Sequence, residues 1–426
     1  MLLTIPLHKP LLRLLALALA VALGLSLGWL IYLRLLVSAV TAKKSSASLA
    51  TLAATVTFLP QSARVQARFA DVLLSQAPDE ETLTQAEMAA EQAVHLSPYN
   101  AKYRLLLAAA KGLRGETEAQ EAHLRAALAL APHNTQMHWR LANALLRAGK
   151  MEAALAEFRG AVTADPALLP VTLELLWQLT EGDVETLLQA AGETSKNRLQ
   201  LTQFLLKQSR VNDALRLIGT MNREERLVAP EVSGVLQELM TAGKVDLAHQ
   251  LWMELMTTGT APRPLLWNGS FEDASPPHLS QFEWQLRGNE YAQLTLDSYI
   301  AHSGAKSLRL DFFGRDTTRL SKEIQQLIVV RPGVRYRLTC FVRTSRLVTP
   351  EGPRIVVTTS DTAQTIAATN PINGVTSEWQ AISTDFTAPT KSSALLVSVQ
   401  RVPKADYDDP TQGTIWFDDF TLTEIR

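Results

Sequence analysis

The chain has 426 residues, which at roughly 150 per domain points to two or three folded units rather than one core. Its 41 Lys and Arg balance 42 Asp and Glu for a net charge of −1, so no overall basic field exists to hold nucleic acid by counterion release. With 46% apolar and 19% charged residues the bulk is globular rather than disordered, and a single cysteine, Cys340, excludes an intramolecular disulfide and a thiolate zinc cluster.

After a short tail (residues 1–13), the run LLALALAVALGLSLGWLIYL from Leu14 to Leu33 carries no charge and lies between Arg13 and Arg34. As a helix it is about 30 Å long, the thickness of a bilayer hydrocarbon core. Trp29 and Tyr32 stand near one end, where amphipathic rings prefer the headgroup zone, and the arginines can snorkel from both ends. The run therefore predicts an uncleaved transmembrane helix. The competing reading, a cleaved signal peptide, calls for an apolar core of about 7 to 15 residues that leads directly into small residues, whereas Arg34 follows here. Lys9 and Arg13 before the span nearly balance Arg34, Lys43 and Lys44 after it, so the positive-inside rule is almost tied. A tail this short before such a run stays cytoplasmic as a rule, which places everything from about Lys43 onward outside the cytoplasm, in the periplasm of an inner-membrane protein. Gly24 and Gly28 form a GxxxG spacing that could let two spans approach closely. Residues 34–60 read as a juxtamembrane segment.

Residues 61–258 read as helical repeats. Pro98, Pro132 and Pro166 follow helical stretches at intervals of 34 residues, a fixed period to be tested before any single helix. In TQMHWRLANALLRAGKMEAALAEFRGAVTADP, Leu141, Ala142, Leu145, Gly149, Ala154, Phe158 and Ala161 fall where two antiparallel helices need large, small, large, turn, small, large and small residues. This segment resembles a tetratricopeptide repeat. The unit before it keeps Leu107, Ala108, Leu124, Ala127 and Leu128 but has Gln120 where a small residue is expected. The first unit has Pro78 in its inter-helix turn, with Leu73, Ala86, Ala93 and Pro98 in register. Later text around Ala214, and at Gly243, Ala248 and Trp252, repeats the pattern to about Thr258, so five or six helical pairs are implied. Such a stack offers a concave face for a protein partner, or serves as a spacer. His95, His123, His133 and His138 lack metal-ligand spacing, and Trp139, Trp177 and Trp252 occupy core-type helical positions.

Gly259, Pro262 and Pro264 stop the helices, which makes 259–264 a linker. From 265 to 426 the text turns to Thr, Val, Ser and aromatic residues in short alternating runs such as RYRLTCFVR, RIVVTTS and TIWFDDFTL. Tyr336, Leu338, Cys340 and Val342 point to one face of a strand, so Cys340 is a buried small hydrophobe. These features predict an all-β jelly-roll sandwich. WNGSFE at Trp267–Glu272, HSGAKSLRL from His302, VRPGVRYRLTCFVR from Val330, Trp379 and the closing IWFDDFTL resemble galactose-binding-like jelly rolls, which include carbohydrate-binding modules. The resemblance implies a structural calcium where first and last strands meet, held by Glu272, the Lys306 backbone carbonyl and Asp418 or Asp419. The open alternative is that both aspartates are solvated or cap a bulge and that Glu272 pairs with an arginine. Glycan binding needs exposed rings to stack on pyranose faces. Tyr407, Trp284 and Tyr299 are the candidates, although Trp284 in FEWQL equally suits a core plug.

GxSxG occurs only as Gly24–Gly28 inside the apolar run, where it is no nucleophile elbow at a strand-to-helix turn, no GxxxxGK[ST], GxGxxG or HExxH motif occurs, and adjacent Asp408 and Asp409 in a Pro/Gly loop read as solvated acids. The expectation is a three-part fold of transmembrane helix, all-α repeat array and all-β sandwich. Its expected role is a membrane-anchored, non-catalytic adaptor of a bacterial envelope, in polysaccharide export or assembly, whose repeats dock a protein and whose sandwich contacts glycan. The alternatives are a purely structural subunit of a membrane-associated assembly and a cryptic polysaccharide-active enzyme.

Overall fold

A computed structural model describes residues 10–42, 48–76, 78–258, 263–376 and 378–425. Lys9, Lys43, Lys44, Gly259 and Pro262 lie outside the described residues. The chain divides into two compact units, residues 1–192 and 193–426.

The first unit opens with helix α1 (Pro10–Thr41), 32 residues rich in Leu and Ala, and within it is the one helix of the described residues that is long and apolar enough to cross a membrane. Its apolar side chains stand exposed, Leu25 by 71%. Among the described residues, nothing comes within 4 Å of where a Cβ would stand at Gly24 or Gly28. The helix does not stop at Leu33. It continues to Thr41, and Val40 is buried with Leu52, Phe69, Ala70 and Leu73 in the core of the first helical pair. Residues 34–60 are thus the end of α1 and a second helix, α2 (Leu49–Phe58), whose N-terminus is capped by the Ser48 hydroxyl accepting from Thr51 N–H at 3.2 Å.

Four antiparallel pairs follow in this unit: α3 (Ala63–Ser75) with α4 (Glu80–Leu96), α5 (Ala101–Leu113) with α6 (Thr117–Leu130), α7 (Thr135–Arg147) with α8 (Met151–Ala164), and α9 (Leu169–Leu179) with α10 (Val184–Ala191). The second unit adds α11 (Ser195–Lys207) with α12 (Val211–Gly219), a short α13 (Arg223–Val228), and α14 (Val232–Thr241) with α15 (Val245–Met256). The period is physical. Asn100 and Asn134, 34 residues apart, cap α5 and α7 by accepting backbone N–H groups. Ala108, Ala142, Ala154 and Ala161 are buried at the helix contacts. Gly115, Gly149, Gly182 and Gly243 make the intra-pair turns at φ between 71° and 80°; at the α11–α12 turn the same left-handed place is filled by Ser209, φ 60°. Gln120, too large for its position in the pattern, is accommodated by its partner helix: its amide occupies the space a Cβ would need at Gly112.

The remainder of the second unit is a sandwich of two five-stranded antiparallel sheets. Its strands are β1 (Gln285–Leu286), β2 (Ala292–Asp297), β3 (Ser307–Phe313), β4 (Ile324–Val329), β5 (Arg335–Val348), β6 (Arg354–Thr359), β7 (Thr365–Ala368), β8 (Gln380–Thr387), β9 (Ala394–Gln400) and β10 (Gln412–Ile425). The sheet orders are β1-β4-β9-β6-β7 and β2-β3-β10-β5-β8. Tyr336, Leu338, Cys340 and Val342 point into the core between them, and burial, followed by the nearby Asp418 charge, pushes the Cys340 thiol well up.

The sandwich does not hang from a free linker. Trp252 of α15 is wholly buried, donates from Nε1 to the Leu279 carbonyl at 2.7 Å, and packs edge-on to Trp267 at 5.3 Å and near Phe282 at 5.7 Å. His278 Nε2 bonds the Leu227 carbonyl (3.0 Å) and Gln281 donates to the Ser233 hydroxyl (2.7 Å). By its spacing Trp252 reads as a repeat-core aromatic. Its partners instead lie in the following domain, and the segment 263–284 is what fuses the last helices to the β-sheets.

Candidate functional site

The opening and closing motifs of the sandwich meet as a clasp. Gly269 is required there, because its carbonyl accepts from Phe420 N–H at 2.9 Å and any Cβ would overlap the Phe420 carbonyl. The turn between β2 and β3 then binds acids from both ends of the domain. Glu272 Oε1 accepts the N–H groups of Ala305 (2.6 Å) and Lys306 (2.7 Å), and the Lys306 ammonium donates to the Glu272 carbonyl (3.0 Å). Asp418 Oδ2 accepts from His302 N–H (2.7 Å) and Ser303 N–H (3.2 Å), while Asp419 meets His302 Nδ1 (2.6 Å) and the Ser303 hydroxyl (2.7 Å). Asp418 is wholly buried. Burial raises its pKa most, these N–H bonds oppose the rise, and the Asp419 charge adds to it.

The structure therefore brings Glu272, Lys306, Asp418 and Asp419 to one turn. Of the alternative roles, solvation fails for Asp418, which is buried, and the described partners of Glu272 are backbone N–H groups and not an arginine, whereas the place at a bulge holds: the β10–β5 register shifts between Asp418 and Thr421, with Asp419 at φ 50°. As a cation site the set offers three hard carboxylates, which suits calcium's preference for oxygen donors, but the His302 ring and the Lys306 ammonium share the cluster. Its arrangement is less apt. Among the described residues no three His, Cys, Asp or Glu converge as a ligand group, and the described contacts of Lys306 run through its N–H and ammonium rather than its carbonyl.

The three aromatic candidates separate. Tyr299 and Tyr407 are exposed by 97% and 81%, on the loop after β2 and on the loop between β9 and β10. Trp284 is a correction: its ring lies 4.9 Å from Phe420 and 5.5 Å from Phe271 inside the core, so neither face is open to a sugar. Period-two alternation explains it, since Trp284 and Leu286 point inward and Gln285 between them points out. Asp409 is a second correction. It is not solvated but buried against the buried guanidinium of Arg401, which also donates to the carbonyls of Glu351 (3.0 Å) and Thr318 (2.6 Å). Burial opposes ionisation of Asp409, but N–H groups of Ala405 and Lys404 and the Arg401 charge hold its carboxyl below the usual range.

The two outward sheet faces differ in what they leave for a ligand. On β2-β3-β10-β5-β8 the polar groups are engaged with one another. Asp297 accepts from Trp416 Nε1 (2.8 Å), Arg309 bonds Asp311 (2.8 Å) and lies 5.7 Å from the Trp416 ring centre, and Arg337 forks onto Asp385 (2.7 and 2.8 Å). On β1-β4-β9-β6-β7, register aligns Gln285, Gln325, Ser398 and Val356 in one row across four strands. Gln325 donates to Gln285 (3.0 Å), and Gln400 donates to Ser398 (2.8 Å). Each amide offers two donors and two acceptor lone pairs, so one bond apiece leaves most of its capacity to a ligand hydroxyl. Sequence reading missed this row, because its members lie up to 113 positions apart, from Gln285 to Ser398, and only strand register joins them.

In the first unit, a groove of about 820 Å³ runs over α3, α5, α6 and α7. Leu74, Leu113 and Trp139 supply its apolar floor, and Asp71, Arg140, Asn143 and Arg147 its polar rim. His138, by contrast, is structural: its ring bonds Glu157 (2.7 Å) and the Pro132 carbonyl (2.9 Å) and fills the space over Gly160.

Comparison with known proteins bears chiefly on the sandwich. Residues 263–406 match a family described as a carbohydrate binding domain. A search of curated proteins finds no match. Among solved structures, a thermophilic TPR protein of Thermus thermophilus is similar at 25% identity, over 31% of this chain and 71% of that one, with a TM-score of 0.28. A structure described as "CBM4 structure and function" is 18% identical over 38% of this chain and 99% of that one, TM-score 0.28. YrrB, described as a TPR protein with an unusual peptide-binding site, is 14% identical over 49% and 92%, TM-score 0.26. The family match thus falls on the sandwich.

Proposed function

We propose that the chain is a membrane-anchored, non-catalytic adaptor of a bacterial envelope, with its soluble parts on the periplasmic side of the inner membrane. The observation that supports it best is the pair of aligned amides Gln285 and Gln325, with Gln400 on the same sheet face two residues along β9 from their row, within the stretch matched by a carbohydrate-binding family. The amides can read successive sugar hydroxyls along a polysaccharide, while no outward side chain of β1, β4, β9 or β6 is aromatic, so recognition there relies on hydrogen bonds more than on stacking. The repeat groove, with Arg140 and Arg147 at its rim, suits an extended protein segment bearing acids. Involvement in polysaccharide export or assembly follows from joining these two capacities at a membrane.

The test is calorimetric titration of the full chain in detergent with soluble envelope polysaccharides. Each lost hydrogen bond is worth about 0.5 to 1.5 kcal/mol, so Gln325→Ala with Gln400→Ala should weaken binding roughly tenfold or more while leaving the melting temperature unchanged. Equal binding by parent and variant would place the site elsewhere. No binding by the parent, with a stoichiometric protein partner retained on purification, would favour the purely structural subunit. Turnover of a polysaccharide, lost on changing an acidic residue, would favour an enzyme.

We propose calcium separately for the clasp. A wholly buried Asp418 with no cationic side chain among its described partners favours it, and Glu272, Asp418, Asp419 and the Lys306 carbonyl would hold the ion, which would tie both ends of the sandwich. A melt of the full chain that rises with calcium, falls with chelator, and loses this response in Glu272→Gln with Asp419→Asn supports the ion. An unchanged melt removes it.

A further inference from the structure

Helix α2 is unusual for a helix at a protein surface. From residue 45 to residue 63 the sequence has no Asp, Glu, Lys, Arg or His, and Phe58 at its end is 57% exposed. Its exposed threonines are satisfied within the helix: the Thr57 hydroxyl donates to the Ala53 carbonyl (2.8 Å), and the Thr51 hydroxyl bonds that of Ser48 (2.9 Å). Such a face loses little hydrogen bonding when water is removed.

The position of α2 says what removes it. The helix turns back along α1, and the Phe58 ring meets Trp29 edge-on at 6.4 Å, while Trp29 itself stacks on Tyr32 at 5.7 Å. Trp29 lies four residues before Leu33, about 6 Å short of that end of the apolar run. Phe58 is therefore level with the aromatic belt of the span, not above it. Between α1 and the turn that joins α2 to α3 runs a groove of about 550 Å³ floored by Leu27, Leu30, Ile31 and Leu59, with Arg34 at its edge. Its apolar wall is continuous with the exposed side chains of α1, and Arg34 is placed to meet a lipid phosphate.

We propose that the α2–α3 corner, led by Phe58 and Leu59, is a second membrane contact that sits in the bilayer interface beside the span. The occupant of the groove is then phospholipid, and the repeat array begins at the membrane surface without a spacer. This rests on the membrane-anchored reading, and the experiment separates the two.

The full chain is labelled with a nitroxide at Phe58→Cys, reconstituted in vesicles of phosphatidylcholine and phosphatidylglycerol, and assayed for relaxation by oxygen and by a water-soluble nickel chelate. Native Cys340 is wholly buried and the unlabelled parent checks that it stays unreactive. Val21→Cys marks the span, and Tyr99→Cys, at a residue exposed by 87%, marks water. The expected result is an oxygen-to-nickel ratio at position 58 several-fold above that at 99 and approaching that at 21. A ratio at 58 equal to that at 99, with 21 lipid-like, overturns the interfacial corner and leaves the anchor intact. An aqueous ratio at 21 as well overturns both. Protection of 58 from both reagents means that a second copy covers it, which also overturns the proposal.

Discussion

The helical array is joined to its neighbours in opposite ways at its two ends. At the first end, Val40 simply adds one more aliphatic residue to a core of Leu52, Phe69, Ala70 and Leu73. At the last, a buried tryptophan with a hydrogen-bonded indole, a histidine and a glutamine fix the following domain. Aliphatic packing tolerates rotation and repacking, whereas a buried indole N–H must find its acceptor or lose more than the bond is worth. The first joint therefore continues a periodic core, and the second specifies an orientation.

The strongest way to break this contrast is truncation at each joint. Trp252→Ala should cost about 3 to 5 kcal/mol, and Val40→Ala no more than about 2 kcal/mol for its two carbons. Denaturant midpoints of the full chain measure both, and equal losses would erase the distinction. Acid reaches the second joint through His249. His249 of α15 lies 4.9 Å from the Phe282 ring, and its pKa is lowered to about 4 by burial first and the Arg263 charge second. Between the ordinary histidine value near 6.5 and about 4, the unfolded chain takes up a proton that the folded chain refuses, so stability falls as pH falls through that window. The loss approaches roughly 3 kcal/mol at the acid end, and His249→Phe should show a shallower decline between about pH 7 and 4. A parallel decline would mean that the ring is not held neutral. The smallest effect lies inside the array, away from both joints: Ser209→Gly, which relieves a left-handed serine, should raise the denaturant midpoint by the equivalent of about 1 kcal/mol or less.

What the sequence makes legible follows the same division. Periodic features can be read from it: prolines every 34 residues, alternation in RYRLTCFVR, and the paired motifs WNGSFE and IWFDDFTL that the clasp joins. Features that depend on a distant partner cannot. Trp252 and Trp284 fit the same description, an aromatic with an apolar neighbourhood, yet one belongs to the joint between helices and sheets and the other to the sandwich core. Gln120 reads as a defect in the repeat until Gly112 is placed opposite. Asp409 reads as solvated because Arg401, its partner, sits eight positions back in the same β9–β10 connection, which only the folded loop brings round to it. The amide row needs the register of β1, β4 and β9, which no single strand reveals.

The unbroken course of α1 from Pro10 to Thr41 has a mechanical corollary. On the anchored reading, a helix with no swivel where lipid ends makes the span a lever. Span tilt responds to hydrocarbon thickness, and with Val40 locked into the first repeat, any change of tilt would be handed to the repeats of the first unit instead of being absorbed at the membrane surface. Bilayers of different thickness would then present those repeats at different inclinations.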